Sequence, residues 1–302
     1  MKENNIFKSG FITIIGKPNV GKSTIINSLI GEKVAITSPK PQTTRSNLRA
    51  VITEENYQMI FIDTPGIHTP KNKLGEYMVT SASSTFSEVD VIVMVCDATD
   101  RSLSKIDEGI IEKLRGVSKK PVFLVINKSD AVIKESILEK ISAYSSLYDF
   151  KEIIPLSALK KEGIELLKET ILKYLKEGPQ YFPDNITADT TMRTIAAEII
   201  REKILLNTNE EVPHGTGVEI IIYKEPKKDD GVTTIEANIY CEKSTHKGII
   251  IGKNGEKLKR IGSSARHDIE KICGGRVNLK LWVKVKDDWR NSPGMLKELG
   301  FQ

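Results

Sequence analysis

The chain has 302 residues, 39 % of them apolar, and a formal net charge of +5. That length has room for two domains of ordinary size, and no apolar run approaches the ~18 residues of a membrane span. Cys96, Cys241 and Cys273 form no CxxC pair, and His68, His214, His246 and His267 show no ligand spacing, which argues against a disulfide framework or a zinc site.

The start, Met1-Lys-Glu-Asn-Asn-Ile-Phe-Lys8, lacks the long apolar core of a signal peptide, so a soluble cytoplasmic protein is expected. From Gly10 an apolar strand runs into Gly16-Lys17-Pro18-Asn19-Val20-Gly21-Lys22-Ser23-Thr24 and then a helix to about Leu29. This is GxxxxGK[ST] between a strand and a helix, the context of a phosphate-binding loop. The two glycines let successive N–H groups converge on a β-phosphate, and the helix adds its positive N-terminal end. Lys22 would reach the β- and γ-oxygens, and the Ser23 hydroxyl would take one Mg²⁺ position.

Gly31 to Arg45 is rich in proline and threonine and has no helical period, so it reads as a mobile loop. Such a loop would give Mg²⁺ a threonine hydroxyl, a role for which Thr43 and Thr44 compete. Leu48–Glu54 and Tyr57–Ile62 read as a hairpin turning at Glu55-Asn56. The second run ends in Asp63-Thr64-Pro65-Gly66, where a carboxylate can hold Mg²⁺ through water and the Gly66 N–H can sense a γ-phosphate. Continuous apolar runs at Val89–Cys96 and Pro121–Ile126 fit parallel strands covered on both faces. Helical segments near Gly75–Ser87, Ser104–Leu114, Lys134–Tyr144 and Gly163–Leu175 complete an alternating α/β pattern.

Asn127-Lys128-Ser129-Asp130 closes the fifth strand and selects the base. A carboxylate at Asp130 can accept both N1–H and the N2 amine of guanine, neither of which adenine offers. Lys128 would lie over the base and Asn127 would tie this segment to the phosphate loop. After a strand at Glu152–Leu156, a backbone N–H of Ser157-Ala158-Leu159 could meet guanine O6.

GKPNVGKS, PQTTR, DTPGIH, NKSD and SAL together resemble the Era family, within the TrmE-Era-EngA group of P-loop GTPases, over residues 10–175. The resemblance favours Thr44 as the Mg²⁺ ligand, beside Ser23 and Asp63, and implies catalytic roles for Lys22, Thr44, Gly66 and Asn19. Where Ras-like enzymes carry a water-orienting Gln, this chain has Ile67, so hydrolysis is expected to be slow or helped from elsewhere. Asn19 could hold a K⁺ ion in place of an arginine finger, as in related GTPases.

Gly178-Pro179 breaks the last helix, which suggests a GTPase domain at 1–178, a linker at 179–184 and a second domain at 185–302. A helix at about Thr190–Leu206 and strands at Gly217–Lys224 and Thr233–Cys241 precede a loop Gly252-Lys253-Asn254-Gly255, followed by Ile261, Ala265, Ile269 and Ile272 at helical spacing. The last strand, Val277–Val285, alternates an apolar face with a basic one. This GxxG loop is similar to that of a KH domain, and the element order is that of the type II arrangement carried by Era proteins. Lys247, Gly248, Ile251, Gly252, Lys253, Asn254, Gly255 and Lys257 are the candidate contacts to single-stranded RNA. From Lys243 to Arg290 there are 13 Lys/Arg against 5 Asp/Glu, a local +8, so the rest of the chain sums to −3. Such a patch attracts phosphate backbones or anionic membrane surfaces.

The expected fold is therefore a mixed, mostly parallel α/β sheet flanked by helices, followed by an α+β type II KH domain. The resemblance implies a GTP- and Mg²⁺-using ribosome assembly factor binding near the 3′ end of small-subunit rRNA, with peripheral contact to the cell membrane allowed and no oligomer implied. A membrane-associated signalling GTPase and a GTP-dependent RNA-modification factor are the rivals, the latter lacking any further nucleophile in the sequence.

Overall fold

A computed structural model describes residues 6–38, 40, 43–45, 48–66, 70, 72–117, 120–210, 212–226 and 231–301. By its internal contacts the chain divides into two compact units, residues 1–69 with 78–189, and residues 70–77 with 190–302.

In the first unit the elements run β1 (Lys8–Ile15), α1 (Lys22–Ile30), β2 (Leu48–Glu54), β3 (Tyr57–Asp63), α2 (Lys73–Glu88), β4 (Val91–Asp97), α3 (Lys105–Arg115), β5 (Val122–Asn127), α4 (Lys134–Ser145), β6 (Glu152–Pro155), α5 (Ile164–Tyr174) and β7 (Lys176–Glu177). The sheet order is β2-β3-β1-β4-β5-β6, with β7 pairing on β1. All pairs are parallel except the β2–β3 hairpin and β7 on β1. Every residue of β3, β4 and β5 is buried, because helices cover both faces of the sheet. Ile12, Phe61 and Val93 pack toward Ile26 and Ile171 on one side, while Met94 and Leu124 meet Phe86, Ile110 and Tyr144 on the other. α3 starts with a reciprocal cap, in which the Ser104 hydroxyl accepts from the Asp107 N–H and Asp107 accepts from the Ser104 N–H.

The boundary lies further along than the glycine-proline break suggests. The Gln58 side chain binds both N–H and C=O of Phe182, at 3.0 and 2.8 Å. Thr187 accepts from the Val51 N–H at 2.9 Å, and the Asp189 N–H donates to Arg49 at 2.8 Å. Residues 187–189 thus lie antiparallel along the outer edge of β2 and satisfy backbone groups that an edge strand leaves open. The segment placed at 179–184 as a linker, and 185–189 beyond it, therefore belong to the first unit, and the second resumes at Thr190. The start of α2, up to Tyr77, groups with the second unit instead.

The second unit contains α6 (Met192–Asn207), β8 (Gly217–Lys224), β9 (Val232–Cys241), α7 (Ser244–Ile251), α8 (Glu256–Cys273), β10 (Arg276–Val285) and α9 (Pro293–Glu298). Its sheet runs β10-β9-β8, with β9 parallel to β10 and antiparallel to β8. Ile200, Ile239, Ile250, Ile261, Ala265 and Ile269 form the centre of its core. Ile272, read as part of that stripe, is 36 % exposed. Four residues on from Ile269 the helix brings Cys273 round to the core, so Cys273 packs there in its place. Trp289 is fully buried and donates to the Gly215 carbonyl at 2.9 Å.

Candidate functional site

The loop between β1 and α1 holds three residues at positive φ, Gly16 at 153°, Asn19 at 67° and Gly21 at 98°. A Cβ on Gly21 would lie 2.2 Å from Asn127 Nδ2, so only glycine fits there. Lys22, the first residue of α1, is buried, and its ammonium folds back to the carbonyls of Gly16 (3.1 Å) and Lys17 (3.0 Å). Burial lowers its pKa to about 8 against the opposing pull of the Asp63 charge, which marks a cation poorly solvated until an anion arrives. Pro18, Asn19, Ser23 and Thr24 line a pocket at this helix N-terminus, while Val20 is fully buried beneath. The Lys17 ammonium pairs with Asp100 at 2.5 Å.

Three oxygens from separate segments meet beside Lys22. The Ser23 hydroxyl donates to Asp63 Oδ2 at 2.9 Å, the Thr44 hydroxyl reaches the same oxygen at 3.1 Å, and the two hydroxyls are 3.0 Å apart. Two hydroxyls and a carboxylate suit a hard cation such as Mg²⁺, which takes oxygen ligands. Of the two competing threonines, Thr43 instead donates to the Lys40 carbonyl of its own loop at 2.7 Å. Thr64 anchors the end of β3 by donating to Ile14 at 2.7 Å. Pro65 and Gly66 are buried, and a Cβ on Gly66 would stand 2.9 Å from the Pro18 nitrogen, so this turn lies directly on the phosphate loop. Ile67 and His68 lie outside the described residues.

At the other end Asn127, 3 % exposed, donates to the Val20 carbonyl at 2.7 Å and accepts from the Ala158 N–H at 3.0 Å. Ser28 on α1 donates to the Ala158 carbonyl at 2.8 Å. One buried amide thus ties phosphate loop, NKSD and SAL together, and breaking it would orphan groups costing ~1–3 kcal/mol each. A hydrogen bond from Ser157 holds the Asp130 carboxyl below its ordinary pKa, keeping it an ionised acceptor. Leu159 is 81 % exposed, so its side chain contributes no packing.

Asp97 escaped the sequence reading. It ends β4 in register with Asn127 and forms an ion pair with Lys128, whose backbone is left-handed at φ 65°. Burial alone would raise the Asp97 pKa, but hydrogen bonds from Lys128 and Thr99 outweigh it and keep the carboxylate charged. The available signal was a lone acid at the end of a fully apolar strand.

In the second unit, Gly252 sits at φ 74°, ψ 177°, and a Cβ there would lie 2.7 Å from Lys257 Cβ. Lys253 and Asn254 are exposed at the tip, Lys247 and Gly248 are exposed on α7, and Ile251, Gly255 and Lys257 are half-buried. Beside the loop an open groove runs between α8 and β10, with Leu258, Leu279 and Leu281 lining it alongside Lys259 and Arg266. Apolar walls with basic neighbours next to a GxxG turn suit unstacked bases and their phosphates. The sequence marks the loop and an apolar face through Leu279 and Leu281, but alternation along one strand carries no sign of the groove that α8 closes over them.

A family model of 50S ribosome-binding GTPases matches residues 11–128, and a KH-domain model matches residues 211–290. Over 98 % of its length the chain is 54 % identical to the GTPase Era of Ruminiclostridium cellulolyticum, covering 98 % of that protein. The chain belongs to the Era family of GTPases. GTPase Era of Clostridium novyi is equally similar, at 54 % identity over 98 % of this chain and all of that one. A solved Era in complex with MgGDPNP and nucleotides 1506–1542 of 16S ribosomal RNA has a TM-score of 0.93 at 42 % identity, covering 98 % of this chain and 99 % of that one. A variant of Aquifex aeolicus Era bound to GDP·AlF4⁻ gives the same values. As an Era GTPase the protein hydrolyses GTP to GDP and phosphate and uses Mg²⁺. No helix among the described residues is long and apolar enough to cross a membrane.

Proposed function

We propose that the protein is a GTP-controlled RNA-binding factor of small-subunit assembly, which grips the 3′ region of small-subunit rRNA in the groove beside Gly252–Gly255. The observation that carries the nucleotide half is the meeting of Ser23, Thr44 and Asp63 around one point. In this reading these three hold Mg²⁺, which neutralises phosphate charge, while Lys22 binds the β- and γ-oxygens and the Gly66 N–H senses the γ-phosphate. Asp130 reads guanine, and the exposed cations of α7 and the GxxG loop meet the RNA backbone. The binding of 16S rRNA by the solved Era supports the RNA half. In this reading the protein works in the cytoplasm, alongside its ribosomal partner.

The test is a titration of the full chain with labelled RNA of the 16S 3′ end, in the GDP form and with a non-hydrolysable GTP analogue. The triphosphate form should bind about tenfold tighter, the usual scale of coupling between two sites. Equal dissociation constants would remove the control, and no binding in either state would remove the RNA reading.

The same pocket supports a monovalent site at Asn19, whose backbone turns left-handed within its wall. A K⁺ ion there would stabilise charge developing on the transferred phosphoryl, so hydrolysis in potassium buffer should exceed that in sodium by about tenfold or more. Equal rates in the two salts would eliminate this cation.

A further inference from the structure

β10 divides its residues between two faces. Leu279 and Leu281 line the groove, whereas Arg276, Asn278, Lys280, Trp282 and Lys284 alternate with them and are all exposed. Among the described residues the strand is also an edge, pairing with β9 alone. Lysines on an edge need do no more than prevent pairing with a second sheet. An indole between them has a different meaning, because Trp282 leaves 42 % of its surface in water with a lysine one strand step away on either side.

The neighbouring positions of β9 on this face are Glu236, Asn238 and Tyr240, in register with Lys280, Trp282 and Lys284. Glu236 is engaged by Lys280 at 3.2 Å, and Glu219 on β8 accepts from the Tyr240 hydroxyl at 2.8 Å. Among the described residues neither Lys284 nor Arg276 has a carboxylate within ion-pair reach, so both cations remain available to an anion. A cation-flanked aromatic on an open strand is the form of a stacking platform for an unpaired base.

We propose that this outer face is a second contact for single-stranded RNA, with one base stacked on Trp282 and the adjoining phosphates met by Lys284 and Arg276. It rests on the RNA-binding reading above and extends it. A strand leaving the groove reaches this face by rounding the free edge of β10.

The chain has two tryptophans, and Trp289 is fully buried, so quenching by added iodide reports on Trp282. The full-length protein is titrated with an RNA of about four nucleotides, enough for the GxxG groove, and with one about three times longer. The longer RNA should dim Trp282 emission and shield it from iodide. Trp282→Ala should weaken binding of the longer RNA about tenfold and leave the short one unchanged, with Trp282→Phe restoring most of the loss. Lys253→Asp with Asn254→Asp, two exposed loop positions, should weaken both. If Trp282→Ala changes neither affinity while the loop variant lowers both, the second contact is overturned and the groove stands. If the wild-type chain binds neither RNA, both readings fall.

Discussion

Asp130→Asn should weaken GTP binding about 100-fold or more while leaving the protein folded, since two charge-assisted hydrogen bonds to guanine are lost together. The substitution keeps the shape of the side chain and removes the charge. The carboxylate accepts two donors at once, N1–H and the exocyclic amine, whereas an amide has one oxygen to offer and turns an N–H toward the other donor. Xanthosine triphosphate carries a carbonyl where guanine has that amine, so the variant should bind it better than wild type does. The Asp130 carboxyl sits near the surface, with Ser157 and the Lys160 ammonium (3.9 Å) as its neighbours, so the exchange strands no deep polar group. Dissociation constants for both nucleotides, measured with wild type and variant, check the claim. Unchanged GTP affinity would mean that another residue reads the base.

Thr44→Ala should lower single-turnover GTP hydrolysis by roughly 10²–10³, the scale on which loss of one transition-state charge contact is felt, and should raise the Mg²⁺ concentration needed. Its hydroxyl stands 3.0 Å from Ser23 Oγ and 3.1 Å from Asp63 Oδ2, so it is the member of this cluster supplied by the loop that follows α1. GDP affinity should change far less, because a ligand that engages only with the triphosphate has nothing to lose in the diphosphate state. Thr43→Ala is the matched control, since that hydroxyl is turned to the Lys40 carbonyl. If the Thr43 variant proves the damaged one and the Thr44 variant hydrolyses normally, the cation is held in another way.

Much of the fold could be read from local pattern, and the reasons are physical. β4 and β5 are apolar throughout because both faces are covered, and burial of that kind writes itself directly into the sequence. The phosphate loop, DTPG and NKSD follow strands whose order the alternating pattern supplies, so their convergence is legible in the sequence, and Asn127 donates to the Val20 carbonyl of that loop. What escaped depends on partners far along the chain. Lys176-Glu177 has no strand character of its own and becomes β7 only because β1 has pairing capacity at its start. Residues 187–189 pair where they do because β2 offers an edge 140 positions earlier, as in the Arg49–Asp189 pair. The groove beside the GxxG loop depends on how α8 stands over Leu279 and Leu281, which a period-two pattern cannot reveal. Asp97 gains its meaning only when Lys128 is brought beside it.

The strip laid along β2 by Thr187, Ala188 and Asp189 also bears on how the catalytic half can be isolated. A fragment cut after Gly178, at the obvious break, would strip that border and leave a row of unsatisfied amides and carbonyls facing water beside a strand with three buried positions. Such a fragment should self-associate on concentration, whereas one carried through to Asp189 should sediment as a monomer. The eleven residues from Pro179 to Asp189 that look like mere tether are, for the nucleotide-binding half, a hem.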